Sequence, residues 1–218
     1  MSFKFKNFLV IPFCYFIFRK YHHFTMISRN TYIKNLILCY SLKHLNGDVV
    51  ECGTWRGGMI AGIADILGPN RTYFLLDSFE GLPEPDINDG IAALEYTKNK
   101  SNKFYHDNCS SPIEVAEKAI KLSKAKDFKL IKGWFENTLP MFDKDRKIAI
   151  LRLDADWYDS TMTCLDNLYD LVEENGIILF DDYYIWEGCS KAVHDFLSKR
   201  NLSVRINQFD NNIAFIQK

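Results

Sequence analysis

From residue 48 onward, short and almost continuous apolar runs alternate with stretches patterned like helices. The apolar runs lie at 48–52, 72–77, 128–133, 147–156 and 177–182. Strands that are apolar on both faces are typical of a parallel sheet that helices cover on both sides. Two further runs, 204–209 and 213–217, are separated only by Asp-Asn-Asn and predict a C-terminal antiparallel hairpin. The sequence therefore predicts an α/β fold with a doubly wound, mostly parallel sheet.

Helix signals occupy the regions between and after these runs. The predicted helices cover residues 58–67, 111–125, 160–174 and 188–200. Ser111-Pro112 gives the second helix a capping serine and a proline at its first position, and Asn175-Gly176 is typical of the end of the third. The long connection at 81–108 is typical of a lid or a binding loop.

The composition narrows the class of protein. With 218 residues, 47% hydrophobic and 25% charged, the chain has the size and balance of one globular domain. Its net charge of −1 gives no support to a general polyanion-binding role. The six cysteines form no C-x-x-C pair, so neither a zinc ribbon nor a dense disulfide frame is indicated, and reduced thiols in a cytoplasm are expected.

The N-terminal part differs in charge from the rest. Residues 1–47 carry seven Lys/Arg and no Asp/Glu, so this part has a formal charge of +7 and the remainder −8. The uncharged run from Phe8 to Phe18 would span only about 16 Å as a helix, against a hydrocarbon core of about 30 Å. Pro12 is expected to weaken a helix there, and no signal-peptide cleavage site follows. Two interpretations stay open: the segment packs on the domain or on a sister subunit, or it contacts an anionic membrane surface.

The first predicted strand ends in a glycine-rich turn, ECGTWRGG at 51–58. Ligands of open α/β sheets bind outside the carboxyl ends of the strands, and glycines there let the backbone approach a ligand. The turn is neither a G-x-G-x-x-G fingerprint nor a P-loop, so it gives weak support to a dinucleotide or a phosphate cradle. Asp77 ends the second strand, where an acidic residue typically accepts hydrogen bonds from ribose hydroxyls, although an ordinary turn aspartate explains it equally well.

Four aspartates end the fourth and fifth predicted strands: Asp154, Asp156, Asp181 and Asp182. Side chains alternate along a strand, so Arg152, Asp154 and Asp156 point in one direction, with the two aspartates about 7 Å apart. If the two strands are neighbours, about 4.8 Å apart, all four carboxylates converge at one rim. Unit charges about 5 Å apart repel by roughly 3 kcal/mol at an effective dielectric of about 20, so protonation, solvent or a cation must relieve them. Oxygen-only ligands favour Mg²⁺, then Ca²⁺ or Mn²⁺, while aspartates that cap a helix or face water are the alternative.

Six segments resemble, in their order and spacing, the macrocin-type O-methyltransferases of the TylF/MycF family. They are FTMISR (24–29), VVECGTWRGG (49–58), LLDSFEGLPEPD (75–86), KGWFENTLP (132–140), LRLDADWYDST (151–161) and LFDDYYIWEGCSKAVHDF (179–196). The resemblance implies a class I methyltransferase fold that uses S-adenosylmethionine (SAM) and a divalent cation, usually Mg²⁺. Members of this family methylate sugar hydroxyls on antibiotics, which implies a saccharide or a glycosylated small molecule as the acceptor. Residues 1–23 then form a basic, aromatic extension to a SAM-dependent methyltransferase domain at 24–218.

The resemblance also implies roles for single residues. The implied cation ligands are Asp154, Asp181 and Asp182. The implied general base is Asp156. The residues that match or lie near the cofactor-binding motifs are Met26, Glu51, Gly53, Asp77 and Trp134. Ala155 stands where glycine is frequent and Trp157 where a smaller apolar residue is frequent, so the shape of the acceptor site does not carry over.

Two rival functions stay open. Asp154-Ala155-Asp156 is also a D-x-D motif, which metal-dependent glycosyltransferases use to bind nucleotide-sugar diphosphates, but this function would leave Glu51 and Asp77 without roles. The second rival is a non-catalytic SAM-fold scaffold that acts through its N-terminal segment. A nucleic-acid methyltransferase is disfavoured because the −8 body offers no phosphate track. A homo-oligomer and peripheral membrane contact through residues 1–23 are both compatible with the sequence.

Overall fold

A computed structural model describes residues 10–101, 105–209 and 212–218 of the protein. Its strands are β1 (Asp48–Cys52), β2 (Thr72–Asp77), β3 (Asp127–Lys132), β4 (Ile148–Leu153), β5 (Val172–Phe180), β6 (Ile206–Phe209) and β7 (Ile213–Gln217). Its α-helices are α1 (Ile11–Tyr21), α2 (Arg29–Ser41), α3 (Gly58–Leu67), α4 (Gly90–Lys98), α5 (Ile113–Lys121), α6 (Phe135–Thr138), α7 (Tyr158–Leu168) and α8 (Glu187–Lys199). Strands and helices alternate through the centre of the chain, as the apolar runs predict.

The strands form one seven-stranded sheet in the order β3-β2-β1-β4-β5-β7-β6. The pairs β2–β3, β1–β2, β1–β4 and β4–β5 are parallel, whereas β5–β7 and β6–β7 are antiparallel. The predicted doubly wound, mostly parallel sheet with a C-terminal antiparallel hairpin is confirmed. The strand order reverses between β1 and β4, so the crevice at their carboxyl ends is the expected place for a ligand.

Helices cover both faces of the sheet, which explains the continuous apolar runs. Val49 of β1 packs in a core layer with α1, α2, α3 and α5, whereas Val50 packs in the opposite layer with α7 and α8. The same alternation occurs in β7, where Phe215 belongs to the first layer and Ala214 to the second. Both faces of each central strand must therefore be apolar.

Helix α1 packs on the domain through one face and exposes aromatic residues on the other. Cys14 and Ile17 are buried in the core, and Lys20 Nζ lies 2.8 Å from Asp65 Oδ2 of α3. Pro12 does not weaken this helix as predicted, because it lies in the first turn, where a backbone donor has no helical partner. In the described part of the chain, no helix is long and apolar enough to cross a membrane. The first two residues of the predicted uncharged run lie outside the described residues. The division into an extension at 1–23 and a domain at 24–218 stays a prediction.

Helix α5 is shorter than predicted at both ends. Pro112 is extended, with φ −60° and ψ 137°, and no side-chain cap precedes the helix, so the predicted capping role of Ser111 is wrong. The helix ends early at Lys121 because the chain turns toward α3, where Lys124 N donates to Asp65 Oδ1 at 2.9 Å.

Helix α7 also ends earlier than predicted. It stops at Leu168 and β5 begins at Val172, so the predicted helix end at Asn175-Gly176 is wrong. Asn175 N donates to Lys218 O at 2.7 Å, and Lys218 N donates to Gly176 O at 3.0 Å. The pair lies at an irregularity in the β4–β5 pairing, where Asn175 has a left-handed φ of 67°, so the dipeptide turns within β5 rather than at the end of a helix.

The long connection at 81–108 is partly helical. It contains α4, which follows a short turn where Asp86 and Asp89 form a reciprocal capping box. The predicted loop is therefore a partly helical connection. Its action as a lid stays a prediction. Residues 102–104 of this connection and residues 210 and 211 of the predicted hairpin turn lie outside the described residues.

Candidate active site

A cavity of about 1010 Å³ opens at the carboxyl ends of the parallel strands, large enough for a cofactor and a second small molecule. All nine predicted site residues lie on its wall: Met26, Glu51, Gly53, Asp77, Trp134, Asp154, Asp156, Asp181 and Asp182. They come from the segment after α1 and from the ends of β1 to β5. The fold brings these residues together, and the role of each stays a prediction.

The turn after β1 requires glycine at its first position. Gly53 has a φ of +84°, and a Cβ there would collide with the backbone carbonyl of Asp154. Gly53 N donates to Leu76 O at 2.9 Å, and Asp154 N donates to Cys52 O at 2.9 Å. These bonds bring the ends of three neighbouring strands close together, which only a residue without a side chain permits at this position.

Asp77, at the end of β2, fixes two turns of the cavity wall. Its Oδ2 accepts a hydrogen bond from Trp55 N and its Oδ1 accepts one from Phe79 N, each at 2.6 Å. Burial raises the pKa of Asp77, and the backbone N–H groups oppose that effect. Asp77 is thus a turn aspartate, and its carboxylate has lone pairs left for a ribose hydroxyl.

Two further predicted residues, Trp134 and Met26, lie on the cavity wall. Trp134 follows Gly133, which has a φ of +142°, and lies immediately before α6. Met26 is 44% exposed on the segment after α1. A Cβ on Gly58 would meet the backbone carbonyl of Phe24, so this glycine lets the segment lie against the first turn of α3.

The carboxylates converge, but not by continuing β4. The strand ends at Leu153 rather than at the predicted residue 156, and Asp156 has a left-handed φ of 56°. Asp154, Asp156 and Asp182 each place an oxygen within 4.8 Å of the other two. Asp156 N donates to Asp182 Oδ2 at 3.1 Å, which closes this turn. Burial and the neighbouring carboxylates raise the pKa of Asp156 and that of Asp182 well above the usual range.

Arg152, which the alternation of the strand places on the side of the aspartates without indicating a role, provides a buried cation. Its Nη1 donates to Glu51 Oε1 at 2.9 Å and to Asp154 Oδ2 at 2.8 Å, and its Nη2 lies 2.7 Å from Asp181 Oδ1. Burial raises the pKa of Glu51 to about 8 and that of Asp181 to about 6, although Arg152 opposes both shifts. The signal in the sequence was a single charge inside the otherwise apolar run IAILRL. Part of the expected repulsion is therefore relieved by the protein itself.

Aromatic residues also surround Asp156, the candidate general base. Trp186 Nε1 donates to Asp156 Oδ1 at 2.8 Å, a contact that the sequence did not indicate. The ring of Trp186 packs edge-on against Trp157 at 5.0 Å and against Tyr96 of α4 at 5.5 Å. Trp157 is 2% exposed, and its Nε1 donates to Pro83 O at 2.9 Å. The Trp157 indole thus links the segment after β2 to the turn that contains Asp156, the candidate general base.

The side chains on the cavity wall have the chemistry to bind the cation and the cofactor that the family resemblance implies. The acidic rim, formed by Asp154, Asp156, Asp181 and Asp182, offers oxygen ligands only, which suits a hard cation such as Mg²⁺. Glu51 Oε2 is buried on the cavity wall and accepts no hydrogen bond from the described residues, so it can accept one from a bound molecule.

A family model described as macrocin-O-methyltransferase (TylF) matches residues 21–218. The chain belongs to this family. Its relatives include the 8-demethyl-8-(2,3-dimethoxy-alpha-L-rhamnosyl)-tetracenomycin-C 4'-O-methyltransferase of Streptomyces olivaceus, which is 31% identical over 177 residues, 78% of this chain and 65% of that protein. They also include the mycinamicin III 3''-O-methyltransferase of Micromonospora griseorubida, 31% identical over 172 residues, 75% of this chain and 65% of that protein.

A solved structure supports the same assignment. The structure of the O-methyltransferase NovP aligns with a TM-score of 0.73 and 28% identity, over 89% of this chain and 82% of that one. The family resemblance seen in the sequence is thus confirmed. The chain spans 65% of the length of each of the two curated relatives, which are therefore substantially longer proteins.

Proposed function

We propose that this chain is a SAM-dependent O-methyltransferase that acts on a hydroxyl of a sugar or of a glycosylated small molecule, with the help of Mg²⁺. One observation carries the proposal. A single cavity collects the glycine turn after β1, the aspartate at the end of β2 and the acidic rim after β4 and β5. Membership of the macrocin O-methyltransferase family and relatives named as O-methyltransferases, one of them for a rhamnosyl-tetracenomycin, support the same reaction class.

The cofactor side is proposed to hold SAM, which supplies an electrophilic methyl group when bound. Gly53 leaves room for the cofactor, Asp77 accepts from the ribose, and Glu51 accepts through its unpartnered Oε2. Trp134 and Met26, which line the same cavity, are proposed to contact the cofactor as well. Tight positioning accounts for much of the rate gain in such a displacement.

The acidic rim is proposed to hold Mg²⁺ through Asp154, Asp181 and Asp182. A bound divalent cation stabilises a developing alkoxide. Asp154 and Asp182 are favoured as the principal ligands, because together with Asp156 they place oxygens within 4.8 Å of one another.

Asp156 is the proposed general base for the acceptor hydroxyl. Trp186 Nε1 fixes one of its oxygens, which leaves the other free to accept the proton. A base held in this way contributes most when it reaches the hydroxyl directly. The packing of Trp186 against Tyr96 of α4 connects the base to the 81–108 connection, which supports a lid at this position.

The location and assembly of the protein are further parts of the proposal. All six cysteines are free, which supports a cytoplasmic enzyme. Helix α1 belongs to the residues 1–23 that we propose as an extension of a domain at 24–218. Its exposed Phe16 and basic Arg19 are available to an anionic membrane surface or to a second subunit.

The decisive experiment measures ligand binding and methyl transfer on the same preparation. We expect S-adenosylhomocysteine (SAH) to bind in calorimetry. Methyl-labelled SAM should label glycosides that carry neighbouring hydroxyls, and EDTA should abolish the transfer until Mg²⁺ is restored. Binding of a nucleotide-sugar without binding of SAH would favour a glycosyltransferase. Binding of SAH with no transfer to any glycoside would favour a scaffold.

A further inference from the structure

The buried Arg152 has no part in the proposed methyl transfer. Its side chain is 1% exposed in the middle of the sheet, in a strand whose other residues are apolar. Moving a cation out of water carries a large penalty, and an apolar side chain of similar size is often more stable at such a position. Stability alone therefore does not account for an arginine here.

The contacts of Arg152 reach both halves of the cavity. One nitrogen, Nη1, donates to Glu51 on the cofactor side and to Asp154 on the cation side. The other, Nη2, is paired with Asp181 after β5. Strand register explains the arrangement, since Arg152 lies opposite Glu51 in the β1–β4 pair. One guanidinium thus joins the ends of three adjacent strands.

The charges around this guanidinium are unequal. Five carboxylates are grouped about it or next to its partners: Glu51, Asp154, Asp156, Asp181 and Asp182. Arg152 compensates part of this negative charge. A divalent cation at the rim would be repelled by Arg152 and attracted by the aspartates, so the guanidinium and the cation compete for the same negative field.

We propose that Arg152 is a positioning residue that holds Glu51 toward the cofactor and also acts as a built-in counter-ion that weakens cation binding at the rim. The inference rests on the proposed function. Its two parts predict opposite changes in binding affinity when Arg152 is replaced. Without the guanidinium, Glu51 loses the donor that fixes Oε1, so SAH binds more weakly. The rim loses a repelling charge, so a cation binds more tightly. A residue that only stabilised the fold would weaken both.

The test measures the affinities of SAH and Mn²⁺ separately in the full chain, by calorimetry and by the spin resonance of free Mn²⁺. For Arg152→Gln, we expect SAH to bind roughly tenfold more weakly and Mn²⁺ roughly tenfold more tightly. Arg152→Lys keeps the charge but loses the planar fork, so SAH binding should weaken while Mn²⁺ binding stays within about twofold of the wild type.

A matched control lies at the other end of the same strand. Arg146 precedes β4, and its Nη1 lies 3.4 Å from Asp48 Oδ2. Arg146→Lys should leave the affinities for SAH and Mn²⁺ unchanged. If Arg152→Gln does not fold, Arg152→Met removes the same charge with an apolar side chain, which suits a buried position. SAH should again bind more weakly and Mn²⁺ more tightly.

The outcomes separate the two proposals. A wild-type chain that binds neither SAH nor Mn²⁺ contradicts the proposed function itself. If the wild type binds both, the role of Arg152 is overturned when Arg152→Gln moves the two affinities in the same direction or changes neither. It is also overturned when Arg152→Met, tested in place of Arg152→Gln, gives either of these results.

Discussion

The two ends of the central strands carry ionic clusters of the same residue types but of opposite character. At the amino end, the Arg146 side chain is 35% exposed and pairs with Asp48, whose Oδ1 also accepts from Thr72 N at 3.2 Å. At the carboxyl end, Arg152 is 1% exposed and lies within 2.7–2.9 Å of three carboxylates. The first cluster is partly exposed, whereas the second groups several carboxyl groups around one buried guanidinium.

Backbone strain shows the same asymmetry. The turn before β1 uses Gly47, with a φ of +121°, a conformation that glycine adopts at little cost. The turns after β1, β2 and β4 instead place Trp55, Phe79 and Asp156 at φ of 48°, 56° and 56°. Each such residue costs about 1 kcal/mol or more. Three strained residues therefore lie in turns at the carboxyl end of the sheet, where several carboxyl groups surround Arg152.

The largest expected effect is on catalysis at that rim. Asp156→Asn keeps the size of the side chain and an oxygen for Trp186, but it removes the proton acceptor. We expect kcat to fall roughly 10²- to 10⁴-fold while SAH affinity changes little. Asp145→Asn is the matched control, because Asp145 is exposed outside the cavity wall. Turnover close to that of the wild type in Asp156→Asn would remove this residue from the role of base.

Two glycines allow a turn at the acidic rim to be compared with a turn elsewhere in the protein. Gly53 and Gly68 both have positive φ, but only a Cβ on Gly53 would collide with backbone, whereas one on Gly68 meets nothing within 4 Å. Gly53→Ala should lower the free energy of unfolding by about 4 kcal/mol, against about 1–2 kcal/mol for Gly68→Ala. Urea titrations measure both. Equal losses would mean that the approach of Asp154 to the turn does not constrain residue 53.

The opposite end of the sheet should respond mildly. Arg146→Ala removes a partly exposed ion pair, and Asp48 still accepts from Thr72 N, so we expect a loss of about 1 kcal/mol in urea unfolding. SAH affinity should not change, because Arg146 is remote from the cavity wall. A loss of SAH binding in this variant would show that the two clusters are not independent.

The sequence predicts the elements best where local pattern and tertiary contacts agree. The bounds of β1, β2 and α3 match the predicted runs, since each is a mostly apolar segment between glycine or polar residues. The prediction fails at Asn175-Gly176, where the dipeptide turns within β5, at an irregularity in the β4–β5 pairing, and bonds to Lys218. A local pattern contains no information about which distant backbone supplies the partner.

The site shows a similar division. The positions of Asp154, Asp156 and Asp182 at one rim follow from strand ends and strand order. The counter-ion role of Arg152 does not follow, because it depends on the register that sets this residue opposite Glu51. A buried guanidinium is visible in the sequence only as one charge in an apolar run, and its partners are separated from it by up to a hundred residues of chain.

The smallest expected effect comes from an exposed ion pair, in contrast to the buried charges at the acidic rim. Arg200 donates to both oxygens of Asp170 at 2.9 Å and lowers the pKa of this carboxyl. The pair therefore contributes stability above the unfolded pKa of Asp, about 3.9, and loses it as the pH falls through the lower folded value. Asp170 is 64% exposed, so the contribution near neutral pH should be below about 1 kcal/mol. Calorimetry of Asp170→Asn should show a Tm lower by about 1–3 °C near neutral pH and no difference at strongly acidic pH. A difference that persists in acid would mean that the carboxylate charge is not the source of the stabilisation.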